Sequence, residues 1–155
     1  MKRIMFVCHG NICRSPMAQM IFDDIIMKNH LESEFEVFSS ATSYEEIGNP
    51  VYPPARRIII KNDIPFKEHF STKLYSDDYG KYDMFIVMDE NNLRNIKRIF
   101  TSDPDGKIYK LLSFAGSGSD VCDPYYSGDF QRAFDDIYTG CKALFESVKR
   151  HCPIQ

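Results

Sequence analysis

The residues with the clearest chemical potential lie near the start of the chain, where Cys8 and Arg14 bracket a loop of five residues. A thiolate at Cys8 can attack a phosphorus atom. The planar guanidinium of Arg14 can bind two phosphoryl oxygens with parallel N–H donors, a geometry that lysine cannot copy. A helix N-terminus and a nearby cation both favour the thiolate form of a cysteine. The Cys-x5-Arg spacing therefore predicts nucleophilic chemistry on a phosphate group.

The sequence on both sides of this loop predicts the elements that position it. Residues 4–8 form an apolar run that ends in the cysteine and predicts a buried strand. Ser15 and Pro16 open a helix with proline in the first turn, where its missing N–H costs nothing. Gly10 permits a close backbone approach, and Asn11 tolerates a left-handed conformation. Strand, loop and helix N-terminus together predict a cradle of backbone N–H groups for an anion.

A displaced phenoxide or alkoxide needs a proton, so the reaction requires a general acid. Asp123 is the candidate, and Pro124 stiffens the loop beside it, although Asp-Pro is also a common turn pair. Tyr125 and Tyr126 follow and could line a slot for an aromatic ring. Ser15 could donate a hydrogen bond to the thiolate and later to the leaving sulfur.

Composition limits the classes of protein that fit. The chain has 155 residues, of which 43% are hydrophobic and 26% charged, and we expect one domain over residues 1–155. A net charge of −3 gives no reason to expect nucleic acid or an anionic membrane as a partner. The first apolar run is too short for a signal peptide. Five cysteines without a C-x-x-C pair predict reduced thiols in the cytoplasm and no metal site.

The hydrophobic pattern predicts four strands that alternate with about five helices. The predicted strands are residues 4–8, 35–39, 82–88 and 108–112, and the predicted helices are residues 16–29, 55–60, 76–79, 89–100 and 129–150. This alternation predicts a parallel sheet with helices on both faces, and ligands bind such sheets at the carboxyl ends of the strands. The segments expected to meet at that edge are Cys8, Ser39, Asp89 and the loop 113–128.

The chain resembles the low molecular weight protein tyrosine phosphatases. The resemblance is strongest in the loop Val-Cys-His-Gly-Asn-Ile-Cys-Arg-Ser-Pro at residues 7–16, recurs at residues 39–43, 47–50, 88–93 and 123–126, and spans essentially the whole chain. It implies a flavodoxin-like α/β fold with the phosphate loop after strand 1, and no cofactor. It implies phosphotyrosine hydrolysis through a cysteinyl-phosphate, with Cys8 as nucleophile, Arg14 as phosphate clamp and Asp123 as acid, then base.

The same resemblance assigns supporting roles. The substrate-binding residues would be His9, Gly10, Asn11, Ile12, Cys13, Ser15, Tyr44, Tyr125 and Tyr126. Asn11, Ser39 and His69 match a network that holds the loop in shape. Residues 70–73 lack the arginine that members often have after the histidine. Ungapped alignment puts Glu45 where a rim aromatic is common, and an acidic rim would disfavour acidic peptides. The loop before Asp123 is short and glycine-rich, which is typical of a mobile segment.

Two related enzyme groups share this kind of loop. Thiol-dependent arsenate reductases need further cysteines at a characteristic spacing, which Cys122, Cys141 and Cys152 do not show. Protein arginine phosphatases carry threonine at the position of Ile12, whereas isoleucine offers methyl groups to an aromatic ring. Tyr125 also fits the tyrosine phosphatase pattern better than the phenylalanine often found in arginine phosphatases.

Two other functions fit these residues less well. Acyl transfer by a Cys–His pair would have no use for Arg14, and a non-catalytic phosphate-binding module would be expected to lose Cys8 or Asp123. Cys13 could form a reversible disulfide with Cys8 that prevents over-oxidation, or could simply pack. The expected partners are phosphotyrosine proteins or peptides, with phosphate and other oxyanions as inhibitors. We expect a monomer that could self-associate weakly through Tyr125 and Tyr126.

Overall fold

A parallel sheet of four strands, with helices on both faces, is formed by residues 1–149, the part of the chain that the computed structural model describes. The strands are β1 (Lys2–Cys8), β2 (Phe35–Ala41), β3 (Met84–Val87) and β4 (Ile108–Lys110), in the order β2-β1-β3-β4. The helices are α1 (Arg14–Lys28), α2 (Pro53–Lys61), α3 (Glu90–Phe100), α4 (Pro124–Ser127) and α5 (Phe130–Val148). Short 3-10 helices span Ser76–Lys81 and Leu111–Ala115. The predicted α/β, flavodoxin-like fold class is confirmed.

The elements differ from the predicted ones mainly at their ends. β2 continues to Ala41 because every residue of β1 has a partner on it. β4 ends at Lys110, since only three of its residues pair with β3, and the chain then turns into the 3-10 helix Leu111–Ala115. The predicted loop 113–128 contains the short helix α4. The predicted last residue of the final helix, Arg150, lies outside the described residues.

Alternation along the central strands builds two apolar layers. In β1, the side chains of Ile4 and Phe6 pack on the face covered by α1, α2 and α5, whereas Met5 and Val7 pack on the face covered by α3. Successive side chains of a strand point to opposite faces, so a strand covered on both sides must be apolar throughout. Within residues 1–149, none of the helices combines the length and apolarity needed to cross a bilayer.

The sheet order places the Cys8–Arg14 loop at its topological switch point. The chain leaves β1 for β2 on one side of it and later reaches β3 on the other side. At such a point, the connections from the two neighbouring strands run to opposite faces of the sheet, and they leave a crevice at its carboxyl edge. The loop after β1 opens into this crevice, and Asp89, the residue before α3, lies at the same edge.

One tight contact joins α5 to the 3-10 helix Leu111–Ala115. A Cβ atom built on Gly140 would lie 2.5 Å from Cγ of Leu111, far inside van der Waals contact. Both residues are buried. Glycine is therefore required here by the close approach of the two elements.

We expect Gly140→Ala to lower the free energy of unfolding by about 1–3 kcal/mol, because the added methyl overpacks the contact with Leu111. This loss should occur although alanine has the higher helix propensity. Urea denaturation measures the change. Thr139→Ala, at the exposed neighbouring position, is the control and should be neutral or slightly stabilising. Equal stability of the two variants would contradict this account of the contact.

Candidate active site

The loop between Cys8 and Arg14 is held by bonds from neighbouring segments to its carbonyls. The hydroxyl of Ser71 donates to the Gly10 carbonyl at 2.7 Å, and the N–H of Tyr52 donates to the Ile12 carbonyl at 2.8 Å. Asn11 has φ = 59°, the left-handed conformation anticipated for asparagine at this position. This turn directs the Asn11 N–H to the Cys8 sulfur, 3.3 Å away.

A directional chain of hydrogen bonds ends at the Cys8 sulfur. The N–H of Thr72 donates to Oδ1 of Asn11 at 3.1 Å, which fixes that atom as the acceptor. His69 Nε2, 2.9 Å from the same oxygen, must therefore also donate. Nδ2 of Asn11 donates to Oγ of Ser15 at 2.7 Å, so the Ser15 hydrogen is free to point at Cys8 Sγ, 3.0 Å away. Two donors thus meet the sulfur, which stabilises negative charge there.

Ser39 is not a direct part of this network. Its hydroxyl donates to Oε1 of Gln19 at 2.6 Å, and its carbonyl accepts from the Thr72 hydroxyl at 3.3 Å. The structure thus joins Asn11 and His69 as expected, but Ser39 reaches the loop only through Thr72. The reason is its place inside β2, where its side chain packs toward α1.

Arg14 is buried, with only 3% of its side chain exposed, and its charge is matched by acceptors from two other segments. Nη1 donates to Oδ2 of Asp89 at 2.8 Å and to the Val121 carbonyl at 2.7 Å. Nη2 lies 3.5 Å from Oδ2 of Asp123. Burial acts to lower the pKa of Arg14, but the charges of Cys8, Asp89 and Asp123 outweigh it and raise the pKa. The guanidinium therefore stays positive.

The two aspartates near Arg14 are also helix caps. Asp89 accepts the N–H of Asn92 at 2.7 Å and begins α3, and Asp123 accepts the N–H of Tyr125 at 3.0 Å and begins α4. Each cap uses one carboxylate oxygen, Oδ1, and leaves Oδ2 toward Arg14. Sequence reasoning placed Asp89 at the crevice but missed its bond to Arg14. The signal for its cap was its position at the start of a predicted helix, directly after an apolar strand.

A cavity of about 210 Å³ opens above the loop. Cys8, Arg14 and Asp123 all line it, so the structure brings the three predicted catalytic residues together. The other lining residues are His9, Gly10, Asn11, Ile12, Cys13, Glu45, Glu46, Tyr52, Tyr125 and Tyr126. The lining combines apolar and aromatic side chains with charged groups, a mixture that suits an aryl phosphate better than a free anion.

The rim of the cavity differs from expectation at two tyrosines. Tyr52 lines it, with its ring centroid 5.6 Å from that of Tyr125, although no sequence pattern marked this residue. Tyr44 lies outside the lining and is exposed, with Nζ of Lys73 4.8 Å from its ring centroid. Glu45 takes the rim position instead, where Oε2 is 3.0 Å from Nε2 of His9.

Cys13 lies in the same loop as Cys8. It is buried, and burial, followed by the nearby Cys8 and Asp123, raises its pKa, while Arg14 opposes the rise. Cys13 therefore stays a neutral thiol at physiological pH. Both cysteines are free. Their proposed disulfide stays a prediction.

Comparison with known proteins finds similarity to phosphatases along nearly the whole chain. Residues 3–153 match the family model described as low molecular weight phosphotyrosine protein phosphatase. The low molecular weight protein-tyrosine-phosphatase YfkJ of Bacillus subtilis is 33% identical, over 95% of this chain and 96% of YfkJ. PtpA of Staphylococcus epidermidis, of the same description, is 35% identical over 96% of this chain and 94% of PtpA.

Solved structures share the fold. The crystal structure of YfkJ matches with a TM-score of 0.94 at 33% identity, covering 99% of this chain and 98% of that one. The structure of the YwlE arginine phosphatase also matches, with a TM-score of 0.85 at 25% identity and 97% of both chains covered. Because one of these proteins is named an arginine phosphatase, the fold alone does not identify the substrate.

We expect His69 to make the stability of the protein depend on pH. Burial lowers the pKa of this half-buried ring below its usual 6.5, although the hydrogen bond to Asn11 acts in the opposite direction. The unfolded chain then binds the proton more tightly, so the free energy of unfolding falls as the pH drops through 6.5. His69→Gln keeps a donor and cannot titrate, so urea denaturation should show a smaller fall. His30→Gln, at an exposed site, is the control, and an unchanged pH dependence in His69→Gln would contradict the prediction.

Proposed function

Because the chain belongs to the low molecular weight phosphotyrosine protein phosphatase family, we propose that it hydrolyses phosphotyrosine through a cysteinyl-phosphate intermediate, within one domain that covers residues 1–155. The observation that carries this proposal is the meeting of Cys8, Arg14 and Asp123 at one cavity. A nucleophilic sulfur, a planar cation and a carboxyl group are what stepwise cleavage of a phosphate ester requires.

In the first step, the Cys8 thiolate attacks phosphorus. An S–P bond forms while the P–O bond to the tyrosyl oxygen breaks. The carboxyl group of Asp123 transfers its proton to that oxygen, so tyrosine leaves as a neutral phenol. The Ser15 hydroxyl and the Asn11 N–H, both within reach of the sulfur, hold it ready for attack. Such proton transfer contributes roughly 10²–10⁴-fold to the rate.

In the second step, a water molecule attacks the phosphorus of the cysteinyl-phosphate. The carboxylate of Asp123 takes the proton of this water as the S–P bond breaks. Inorganic phosphate leaves, Cys8 returns to the thiolate, and Asp123 is again protonated. The Ser15 hydroxyl stabilises the departing sulfur, as it stabilised the attacking one. The 29% exposure of the Asp123 side chain leaves it open to water.

Arg14 holds the transferred phosphoryl group. Both N–H groups of Nη1 are engaged, by Asp89 and by the Val121 carbonyl, whereas Nη2 has only the longer contact with Asp123 at 3.5 Å. The edge formed by Nε and Nη2 is therefore the one available to bind two phosphoryl oxygens. Because these bonds fix the guanidinium plane before substrate arrives, little reorganisation is needed as charge moves in the transition state. The N–H groups of the loop complete the cradle.

The wall of the cavity favours an aromatic leaving group. Ile12 offers methyl groups to the cavity, and the neighbouring rings of Tyr52 and Tyr125 offer an aromatic surface. A phenyl ring buries apolar area against these side chains, whereas the short alkyl chain of phosphoserine does not reach them. A guanidinium leaving group would find no hydroxyl at Ile12. These contacts support phosphotyrosine over phosphoarginine and phosphoserine.

The remaining properties follow from the same site. Inorganic phosphate and other tetrahedral oxyanions carry the oxygens that Arg14 binds and should inhibit competitively. Free thiols at Cys8 and Cys13 suit the reducing cytoplasm, where we place the enzyme. The enzyme is a monomer in this proposal. Tyr125 and Tyr126 are 59% and 83% exposed, so they offer a small apolar surface for weak self-association.

Phosphate release from three peptides that differ only in the modified residue tests the substrate class. With EDTA present in mildly acidic buffer, the wild-type protein should hydrolyse the phosphotyrosine peptide and leave the phosphoarginine and phosphoserine peptides largely intact. Cys8→Ser should retain binding of the phosphotyrosine peptide but abolish turnover, because a serine hydroxyl is a far weaker nucleophile. Preference for phosphoarginine would keep the loop chemistry and overturn the substrate assignment. Normal hydrolysis by Cys8→Ser would overturn the mechanism.

The acid role of Asp123 predicts a loss that depends on the leaving group. For Asp123→Ala, kcat/KM should fall about 100-fold with phenyl phosphate and far less with p-nitrophenyl phosphate, whose leaving group needs little protonation. Steady-state kinetics on both substrates measure this, since kcat/KM reports the first step. Asp77→Ala, at an exposed position outside the cavity lining, should leave both values unchanged. Equal losses on the two substrates would remove Asp123 from the acid role.

A further inference from the structure

The glycine-rich segment before Asp123, expected to be mobile, is anchored at several points. The N–H of Ser117 donates to the Leu112 carbonyl at 3.1 Å, and the N–H of Val121 donates to the Met88 carbonyl at 2.9 Å. Val121 in turn accepts from Arg14 at 2.7 Å. We call residues 117–123 the acid loop. Its two ends are thus bonded to the body of the fold, which leaves residues 118–120 to be held by something else.

Lys110, the last residue of β4, holds that middle part. Its ammonium group donates to Oδ1 of Asp120 at 2.7 Å, to the Gly118 carbonyl at 3.0 Å and to Oε1 of Glu90 at 3.0 Å. Three acceptors match the three donors of a lysine ammonium. The Lys110 side chain is only 12% exposed, whereas the side chains of Glu90 and Asp120 are 53% and 45% exposed, so both ion pairs join a largely buried ammonium group to a carboxylate that is open to water. Two of the three partners belong to the acid loop.

The same contacts reach the elements that hold the phosphate clamp. Oδ1 of Asp120 also accepts the N–H of Glu90 at 3.2 Å, and Glu90 is the first residue of α3. The residue before it, Asp89, bonds to Arg14. Lys110 therefore lies between two carboxylates that would repel each other in its absence. Its charge draws the acid loop onto the N-terminus of α3.

We propose that Lys110 is a positioning residue for the general acid: it fixes residues 118–120 so that Asp123 meets the leaving oxygen. This role rests on the proposed function. Only Val121 and Cys122 separate Asp120 from Asp123, and Val121 is bonded to Met88 and Arg14. A shift at Asp120 would therefore act on Asp123 by straining these two bonds of Val121. A catalytic group displaced by about 1 Å can lose up to about 100-fold in rate.

Lys110→Met removes the ammonium group and keeps the length of the side chain. We expect kcat/KM to fall about tenfold for phenyl phosphate and less than about twofold for 2,4-dinitrophenyl phosphate, whose leaving group needs no acid. Across a series of aryl phosphates, log(kcat/KM) should therefore fall more steeply with the basicity of the leaving group. Lys110→Arg keeps the charge and should recover most of the loss.

A second variant and a matched control separate positioning from stability. Asp120→Ala removes the partner on the acid loop and should steepen the leaving-group dependence in the same way, so the test does not depend on Lys110→Met folding well. Lys107→Met removes a partly buried lysine just before β4 that donates to the Tyr79 carbonyl at 2.8 Å, away from the acid loop. It should leave the leaving-group dependence unchanged even if it lowers the melting temperature.

Combination with Asp123→Ala gives the decisive result. If Lys110 acts through the acid, the double variant Lys110→Met/Asp123→Ala should be no slower than Asp123→Ala alone. Losses that multiply, or a Lys110→Met loss of equal size on every aryl phosphate, would overturn the positioning role while leaving the phosphatase reaction intact. A wild-type protein that hydrolyses none of the aryl phosphates would overturn the proposed function itself, and the role of Lys110 with it.

Discussion

The buried guanidinium of Arg14 is the charge around which the site is organised. Moving such a group out of water costs several kcal/mol unless it is paired and hydrogen-bonded. Here Asp89 and the Val121 carbonyl supply short bonds, and Asp123 adds a weaker one at 3.5 Å. These acceptors come from the end of β3 and from the acid loop. The burial of Arg14 therefore depends on contacts with two segments that are distant in the sequence, and both segments border the crevice.

Asn11 sets the direction of the hydrogen bonds inside the loop. Its positive φ lets its N–H reach the Cys8 sulfur, and its amide separates acceptor from donor. The oxygen receives His69 and Thr72, and the nitrogen donates to Ser15. Because each group is thereby restricted to one role, the Ser15 hydrogen is directed to the sulfur. The Cys8 sulfur is thus held, through Asn11, by His69 and Thr72, which lie outside the loop.

The sequence by itself determined the parts of the protein that depend on neighbours along the chain. Cys8 and Arg14 stand at the two ends of one short loop between an apolar strand and a proline-opened helix, so the anion cradle could be predicted from about a dozen residues. The alternation of strands and helices likewise predicted the parallel α/β sheet, because period-2 and period-3.6 patterns are local. The need for a general acid pointed to Asp123, the family resemblance gave it the same role, and the structure places it at the same cavity.

Only the tertiary structure decided which distant side chains serve that loop. It paired Arg14 with Asp89, brought Thr72 rather than Ser39 to the loop amide, and put Tyr52 in the cavity wall in place of Tyr44. The physical reason is that a hydrophobic pattern tells which face of an element is buried, but it does not tell which residue of another element will lie opposite. That choice depends on how whole helices and loops pack against the sheet, because a buried polar group must form its hydrogen bonds with the groups that this packing places beside it.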